Sequence, residues 1–203
     1  RIRAFIKAAP EMLAYMMDRT EVKYRAQPYA DYHTDLDGAK LGYRMHEPVQ
    51  VDADKLGKDY FTLQQTHPIA MLFGRIAWVI SESRPIMTRA KGWRKVLVKM
   101  FARYYLDFPH RLKTSRDRRL TMGNAALGRL RMSLNDRDVP LWLDTPMIDL
   151  VEENGRVVGA VVERDGKRET IRARRGVILG AGGFERSKEM REENLGFDGR
   201  YTA

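Results

Sequence analysis

Two glycine-containing turn signatures restrict the fold of this chain more than any other feature of its sequence. Asn154-Gly155 and Asp165-Gly166 each suit a type I′ turn, because both central residues of that turn need a positive φ. Segments rich in apolar residues at 147–152 and 157–162 flank the first signature, and residues 169–173 follow the second. The pattern predicts three antiparallel strands joined by tight hairpins, which form a β-meander.

The residues around this meander indicate an α/β fold. A helix is expected at 124–137 and a strand at 140–144. The apolar run 176–180 is typical of a buried parallel strand, and a helix is expected to begin at about Ser187. Ligands of open α/β sheets bind beyond the carboxyl ends of the strands, where glycines let them approach the backbone. Gly180-Ala-Gly-Gly183 lies at such an end, although a plain tight turn is the alternative interpretation.

The first part of the chain shows weaker patterns. Apolar spacing predicts a helix over residues 1–19, with two short helices broken near Pro10 as the alternative. The other expected elements are a short strand at 22–27, a turn-rich stretch at 28–38, and helices at 69–80 and 92–106.

The net charge of +10 is concentrated in one segment. Residues 84–119 contain 12 Lys and Arg against two Asp, so they account for the whole excess. In 92–106, Trp, Phe and Tyr occur beside Lys and Arg, which suits a helix at an anionic membrane surface. A helix packed on the protein with a solvated basic face is the favoured alternative. A nucleic-acid-binding module is a third, from another class, but no helix-turn-helix, RNP or zinc pattern supports a nucleic-acid partner.

The composition excludes several kinds of site. The chain has no cysteine, which excludes disulfides, zinc–thiolate sites and iron–sulfur ligation, and which is compatible with a cytoplasmic location. The four histidines show no metal-ligand spacing, so no metal is expected. No apolar run reaches the roughly 18 residues that span a bilayer.

Four blocks resemble one enzyme family in their order and spacing. They are Gly123–Leu130, Val139–Met147, Asn154–Gly159 and Arg172–Arg186. They are similar to the fumarate reductase/succinate dehydrogenase flavoprotein family, and within it most similar to the 3-ketosteroid 1-dehydrogenase branch. The resemblance implies part of a two-dinucleotide-binding-domain FAD fold with a β-meander, joined to part of an α+β substrate domain. It assigns residues 1–19 and 120–203 to the FAD-binding domain, and 20–119 to a substrate domain with a basic helical insertion.

The resemblance also implies FAD as the cofactor. Ala181, Gly182 and Gly183 are then expected near its adenosine–diphosphate portion. Met147 is expected against the adenine, chiefly through its backbone, and an ordinary core methionine is an equal alternative. The family's Gly-x-Gly-x-x-Gly phosphate loop does not occur in this sequence. The chain is therefore expected to be an internal fragment that, alone, neither holds FAD tightly nor turns over.

Tyr32 is the catalytic candidate. Tyr29-Ala-Asp-Tyr32 resembles the segment that supplies an active-site tyrosine in ketosteroid dehydrogenases. The resemblance implies that Tyr32 supports a second, basic tyrosine that would lie beyond Ala203, and a half-buried loop aromatic is the alternative. The expected reaction is dehydrogenation of a 3-ketosteroid between adjacent carbons. A steroid 4-dehydrogenase or a fumarate-reductase-like enzyme is the alternative within the family.

Overall fold

The computed structural model describes residues 1–185 and 187–196. It divides into two compact units, Arg1–Leu141 and Trp142–Ala203. Helices and short antiparallel strand pairs make up the first unit, and a three-stranded sheet dominates the second. Among the helices of the described residues, none is long and apolar enough to cross a membrane.

The helices of the first unit are interrupted by irregular segments. They are α1 (Ile2–Arg19), α2 (Ile80–Thr88), α3 (Trp93–Tyr105), α4 (Phe108–Arg111) and α5 (Met122–Asn135), with 3₁₀ turns at Ala53–Thr62 and Pro68–Ala70. α1 continues through Pro10, so the alternative of two short helices is wrong. Residues on both sides of Pro10 belong to one continuous helix, although the proline supplies no backbone N–H. The helix predicted at 92–106 is confirmed as α3.

The helix predicted at 69–80 is also wrong. Phe73 and Gly74 both adopt left-handed backbone, with φ of 50° and 71°. They form a tight turn that is closed by an antiparallel bridge between Leu72 and Ile76. Left-handed residues end a right-handed helix, so the apolar residues here line a turn instead of a helix face.

Two short antiparallel strand pairs hold distant parts of the first unit together. β1 (Tyr24–Ala26) pairs with β2 (His46–Pro48), and β3 (Val51–Asp52) pairs with β4 (Arg119–Leu120). β1 lies within the predicted strand 22–27. The residues between β1 and β2, including the stretch 28–38, form a loop without helix or strand, as predicted.

Two small cores stabilise the first unit. One contains Val51, Ala53, Leu56, Tyr60, Leu120 and Ala125, and the other contains Ile76, Met100 and Tyr104. α5 contacts the first core at Gly128, where a Cβ atom would lie only 2.9 Å from Leu120 Cδ1. The absence of a side chain at this position therefore permits the close packing of α5.

Arg129 fixes α5 to the chain on both sides of the β1–β2 pair. Its guanidinium donates to the carbonyls of Val49 and Glu21 at 2.8 Å and to that of Gln50 at 3.1 Å. Burial lowers the pKa of this arginine, and the charge of Glu21 acts in the opposite direction. Within the described residues this buried cation has no carboxylate hydrogen-bond partner, and the three carbonyl acceptors stabilise its charge instead.

The second unit confirms the predicted meander. β5 (Met147–Glu153), β6 (Arg156–Arg164) and β7 (Lys167–Arg172) are antiparallel and lie in that order. Asn154 and Gly155 have φ of 51° and 71°, and Asp165 and Gly166 have the same two values. Both turns therefore have the positive φ values that their residue types predict.

The strands predicted on either side of the meander are wrong. Residues 140–144 and 176–180 have no regular structure, and Ile178 and Leu179 are 97% and 57% exposed. A parallel strand exists only beside another strand, and neither segment has one among the described residues. The helix predicted near Ser187 is confirmed as α6 (Lys188–Leu195), whose first turn is capped by the Ser187 hydroxyl accepting from the Met190 N–H at 3.3 Å.

Candidate functional site

Tyr32 lies in the loop between β1 and β2, which we call the 27–45 loop. Backbone hydrogen bonds close its two ends, since the Gln27 N–H donates to the Met45 carbonyl and the Tyr43 N–H to the Gln27 carbonyl, both at 2.8 Å. Gly42 passes close to Pro28, with 3.6 Å between the Cα of Pro28 and a Cβ built on the glycine. The loop is therefore narrow at its base and open at its tip.

The tip of this loop surrounds an open cavity of about 520 Å³. Its lining includes Tyr29, Asp31, Tyr32, His33, Leu36 and Arg44. The Tyr32 side chain is 97% exposed, and its hydroxyl makes no hydrogen bond within the described residues. Tyr32 is thus an exposed phenol at the edge of a mixed polar and apolar cavity, and not the half-buried aromatic of the alternative interpretation.

Buried polar residues anchor the base of the 27–45 loop. The Gln27 amide donates to Glu47 Oε2 at 2.9 Å, and the Ile80 N–H donates to Glu47 Oε1 at the same distance. Gln27 and Glu47 are both buried, and a buried polar group without a hydrogen-bond partner destabilises the fold. Their mutual hydrogen bond and the one from Ile80 avoid this loss. On the same side, the Arg84 guanidinium lies 5.3 Å from the centre of the Tyr29 ring. Neither a periodic pattern nor a motif in the sequence predicts these pairs.

Several arginines of the basic segment 84–119 form ion pairs with acidic residues inside the first unit. Burial acts to raise the pKa of Glu82, but the Arg119 hydrogen bond and the charges of Arg119 and Arg103 outweigh it, so this pKa lies below its ordinary value. The Arg119 and Arg103 contacts to Glu82 measure 2.5 and 3.1 Å. Arg118 lies 3.1 Å from Asp107 and 3.3 Å from Asp54. Arg103, Arg118 and Arg119 therefore all have acidic partners within the first unit.

Tyr60 is a second tyrosine with a perturbed environment, but it belongs to the core. Burial raises the pKa of Tyr60 to about 12. Its hydroxyl donates to the Asp117 carbonyl at 3.1 Å. A phenol with this pKa keeps its proton at neutral pH, so Tyr60 has a structural role.

The cofactor candidates lie in the second unit, whereas Tyr32 lies in the first. Met147 begins β5, pairs with Val162 and is 45% exposed, so it is not a core methionine within the described residues. Ala181, Gly182 and Gly183 are consecutive, exposed and without regular structure. Within the described residues, no hydrogen bond joins Met147 to these three.

The glycine-rich segment suits close approach by a flat or phosphate-bearing group. Gly182 has a φ of 77°, a conformation that a side chain would strain. A Cβ atom on Gly180 or Gly182 would meet nothing within 4 Å, so the backbone faces open space. Gly182 therefore fits the cofactor role that the resemblance assigns to it, because an exposed backbone without a side chain can contact a dinucleotide directly. Gly183 is more crowded, since a Cβ atom there would lie 2.6 Å from Glu185 Oε2.

A family comparison places this geometry in context. The model of the FAD binding domain family matches residues 1–198. The chain belongs to this FAD-binding family. FAD is accordingly its cofactor, and its mixture of helices with small antiparallel sheets is part of the FAD-binding fold. The resemblance stated from the sequence is thereby confirmed.

Individual relatives agree with this family. The chain is 38% identical to the 3-oxosteroid 1-dehydrogenase of Comamonas testosteroni over 96% of its length, and 32% identical to that of Mycobacterium tuberculosis over 94%. It is 29% identical to the 4-oxocyclohex-2-ene-1-carboxylate 5-dehydrogenase of Sinomonas cyclohexanicum over 97% of its length. The chain spans about a third of these relatives, 34%, 34% and 33% in that order.

A solved structure is similar over the same region. It is the 3-ketosteroid delta1-dehydrogenase of Sterolibacterium denitrificans in complex with 1,4-androstadiene-3,17-dione. The TM-score is 0.87 at 41% sequence identity, and the match covers 94% of this chain and 35% of the other.

Proposed function

We propose that the protein carrying this chain is an FAD-dependent dehydrogenase that introduces a double bond between adjacent carbons of a 3-ketosteroid. The observation that carries the proposal is the likeness, in both sequence and structure, to a steroid-bound 3-ketosteroid delta1-dehydrogenase. The exposed phenol of Tyr32 beside an open cavity supports it, because the reaction needs hydroxyl groups that move a proton.

The proposed reaction removes two hydrogens from neighbouring carbons near a ketone. One would leave as a proton to a base and the other as a hydride, for which FAD would supply the acceptor when bound. A tyrosine base needs help, because an ordinary phenol has a pKa of about 10 and is mostly protonated at neutral pH. We propose that Tyr32 donates a hydrogen bond to such a base tyrosine and stabilises its phenolate.

We also propose which residues contact FAD and which residues form each domain. Ala181, Gly182 and Gly183 would hold the adenosine–diphosphate portion of FAD, and Met147 would lie against the adenine. Residues 1–19 and 120–203 would then belong to the FAD-binding domain, and residues 20–119 to the substrate domain.

The test uses the full-length protein that contains this chain. We expect a flavin absorption spectrum that bleaches under anaerobic conditions when a 3-ketosteroid is added. In Tyr32→Phe, we expect the spectrum to be retained and the bleaching rate to fall about 100-fold, within the range of acid–base contributions. Tyr43→Phe changes another exposed tyrosine of the 27–45 loop and is the matched control. A protein without flavin, or one not bleached by any ketosteroid, contradicts the proposal.

A smaller cyclic ketone is the second candidate substrate. The relative from Sinomonas cyclohexanicum is named for a dehydrogenase of a six-membered oxo-carboxylate ring, which shares the ketone but lacks the fused rings of a steroid. Comparing kcat/KM for androstenedione and for 4-oxocyclohex-2-ene-1-carboxylate separates the two candidates. Identifying the position of the new double bond by NMR separates a 1-dehydrogenase from a 4-dehydrogenase, and activity on fumarate would indicate the reductase alternative.

We further propose that α3 and its flanks contact a membrane surface, which would give access to a substrate that partitions into lipid. One face of α3 packs against the rest of the first unit, where Met100 and Tyr104 are buried in the second core. Another part remains open: Val98 and Leu106 are 66% and 65% exposed. Together with Leu97, Phe101, Ala102 and Tyr105 they line a shallow apolar groove of about 410 Å³.

Charge favours an anionic bilayer as the occupant of this groove. Arg94, Lys95 and Lys99 are exposed on the same helix, and their side chains have no acidic partner within the described residues. Exposed apolar residues beside unpaired cations are typical of interfacial helices. We expect the full-length protein to sediment with vesicles containing phosphatidylserine, in a salt-sensitive manner, and Val98→Asp/Leu106→Asp to abolish this. Absence of sedimentation, or a concentration-dependent dimer that the same substitutions disrupt, would overturn the membrane proposal.

A further inference from the structure

Asp31, the residue directly before Tyr32, makes three polar contacts at the loop tip. The Asp31 N–H donates to the Lys40 carbonyl, and the Lys40 N–H donates back to Asp31 Oδ2, both at 2.9 Å. Asp31 Oδ2 also lies 3.2 Å from Arg44 Nε. The backbone and the carboxylate of one residue therefore connect the start of the loop to its return.

Arg44 extends these connections to the tip. While its Nε atom faces Asp31, its Nη2 atom donates to the Gly38 carbonyl at 2.6 Å. The planar guanidinium has donors in a fixed arrangement, so it restrains both positions at once. Residues 31, 38, 40 and 44 thus form one connected set around the tip.

Tyr32 itself has no such contacts. Its side chain is almost fully exposed, and its hydroxyl makes no hydrogen bond in the described part of the chain. Among the described residues, the position of the hydroxyl is therefore set by the backbone that Asp31 restrains. Misplacement of a reacting group by about 1 Å can cost about 100-fold in rate, so this restraint has a functional consequence.

We propose that the Asp31–Arg44 ion pair positions Tyr32 for the dehydrogenation reaction. Asp31 and Arg44 are positioning residues, because they act through the backbone of the 27–45 loop. The inference rests on the function proposed above and on the role of Tyr32 in it. The pair contributes little to global stability, because the Arg44 side chain is 55% exposed and exposed ion pairs are worth less than about 1 kcal/mol.

The test is a double-mutant cycle in the full-length flavoprotein. We expect Asp31→Ala and Arg44→Ala each to lower kcat about 10-fold, with flavin content and thermal midpoint unchanged. In the Tyr32→Phe background, Asp31→Ala should have almost no further effect, since the hydroxyl it positions is gone. Asp31→Glu should restore part of kcat. Asp35→Asn is the matched control, because Asp35 is an exposed aspartate of the same loop whose side chain makes no hydrogen bond in the described residues.

The outcomes separate this inference from the proposed function. If Tyr32→Phe leaves kcat unchanged, Tyr32 has no catalytic role, and the positioning role proposed for Asp31 and Arg44 is then wrong as well. If Tyr32→Phe lowers kcat but Asp31→Ala adds its full effect in that background, Tyr32 is functional and the positioning inference alone is wrong. A loss of flavin or of thermal stability in both Asp31→Ala and Arg44→Ala would show a structural role and would also overturn the inference.

Discussion

The strand β6 of the meander and the run 176–180 are both rich in small and β-branched apolar residues, yet only β6 forms a strand. β6 pairs with β5 on one side and β7 on the other. Residues 176–180 pair with no strand in the described chain, and Ile178 is 97% exposed. The difference shows that a strand closed by a two-residue turn needs only its neighbours in sequence, whereas a parallel strand depends on a partner far away.

The largest effect is expected at Gly159 of β6, which lies opposite Arg172 of β7. A Cβ atom at this position would lie 2.3 Å from the Ile171 carbonyl oxygen. Gly159→Val should therefore destabilise the meander by about 3 kcal/mol, the upper range for overpacking. Native-state hydrogen exchange of β6 and β7 amides measures this loss. Thr170→Val, at an exposed position of β7, is the control and should change protection little. Unchanged exchange protection in Gly159→Val would contradict this prediction, because it would show that the β6–β7 pairing tolerates a side chain at this position.

A smaller loss is expected at the turns. Gly155 and Gly166 both have a φ of 71°, so alanine at either position should cost about 1 kcal/mol. Gly123→Ala is the matched control, because Gly123 lies in α5 and a Cβ there would meet nothing within 4 Å. The control should leave the exchange protection of β6 and β7 unchanged, because Gly123 lies in the first unit. Equal effects at all three glycines would mean that turn conformation does not hold the meander together.

Polar substitution of the unpaired run should change the stability of this chain by less than about 0.5 kcal/mol. Ile178→Ser removes a side chain that is already exposed, whereas Val162→Ser removes a buried one from β6 and should cost about 2 kcal/mol. Urea unfolding of the 203-residue chain measures both. If Ile178→Ser lowered the free energy of unfolding as much as Val162→Ser does, the run 176–180 would be buried in the folded chain. It would then not differ from the meander in burial.

The smallest effect concerns pH. The Arg172 hydrogen bond lowers the pKa of Glu153, joining the end of β5 to the end of β7. A carboxyl whose folded pKa is lowered stabilises the fold above its unfolded value of about 4.3, and this stabilisation is lost as pH falls through the folded pKa. NMR titration of Glu153 should show the lowered pKa, and Arg172→Gln should return it toward its ordinary value. If Glu153 titrates identically in both proteins, the Arg172–Glu153 ion pair does not stabilise the meander.

The sequence predicted those parts of the fold that depend on local chemistry. The turns at 154–155 and 165–166, α3 and the start of α6 were all confirmed. The helix expected at 69–80 failed because apolar periodicity does not report the left-handed backbone of Phe73 and Gly74. The strands expected at 140–144 and 176–180 failed because their burial depends on partners that a local pattern cannot supply.

The site was predictable only in part. Family resemblance pointed to Tyr32 and to residues 181–183, and it identified FAD. The contacts that hold the 27–45 loop were not predictable, because Gln27 with Glu47 and Asp31 with Arg44 join positions that share no periodicity or motif. Such pairs become visible only when the chain has been folded.

The closed base of the 27–45 loop has a consequence for how proteins of this kind can diversify. Hydrogen bonds from Gln27 to Met45 and from Tyr43 to Gln27 fix the ends of the loop independently of its tip. Doubling the length of a flexible loop adds only about 0.6 kcal/mol of closure entropy. Insertions or deletions at the tip can therefore change the surface of the loop while β1 and β2 stay in register. The tip can vary in length and sequence without the rest of the chain having to fold differently.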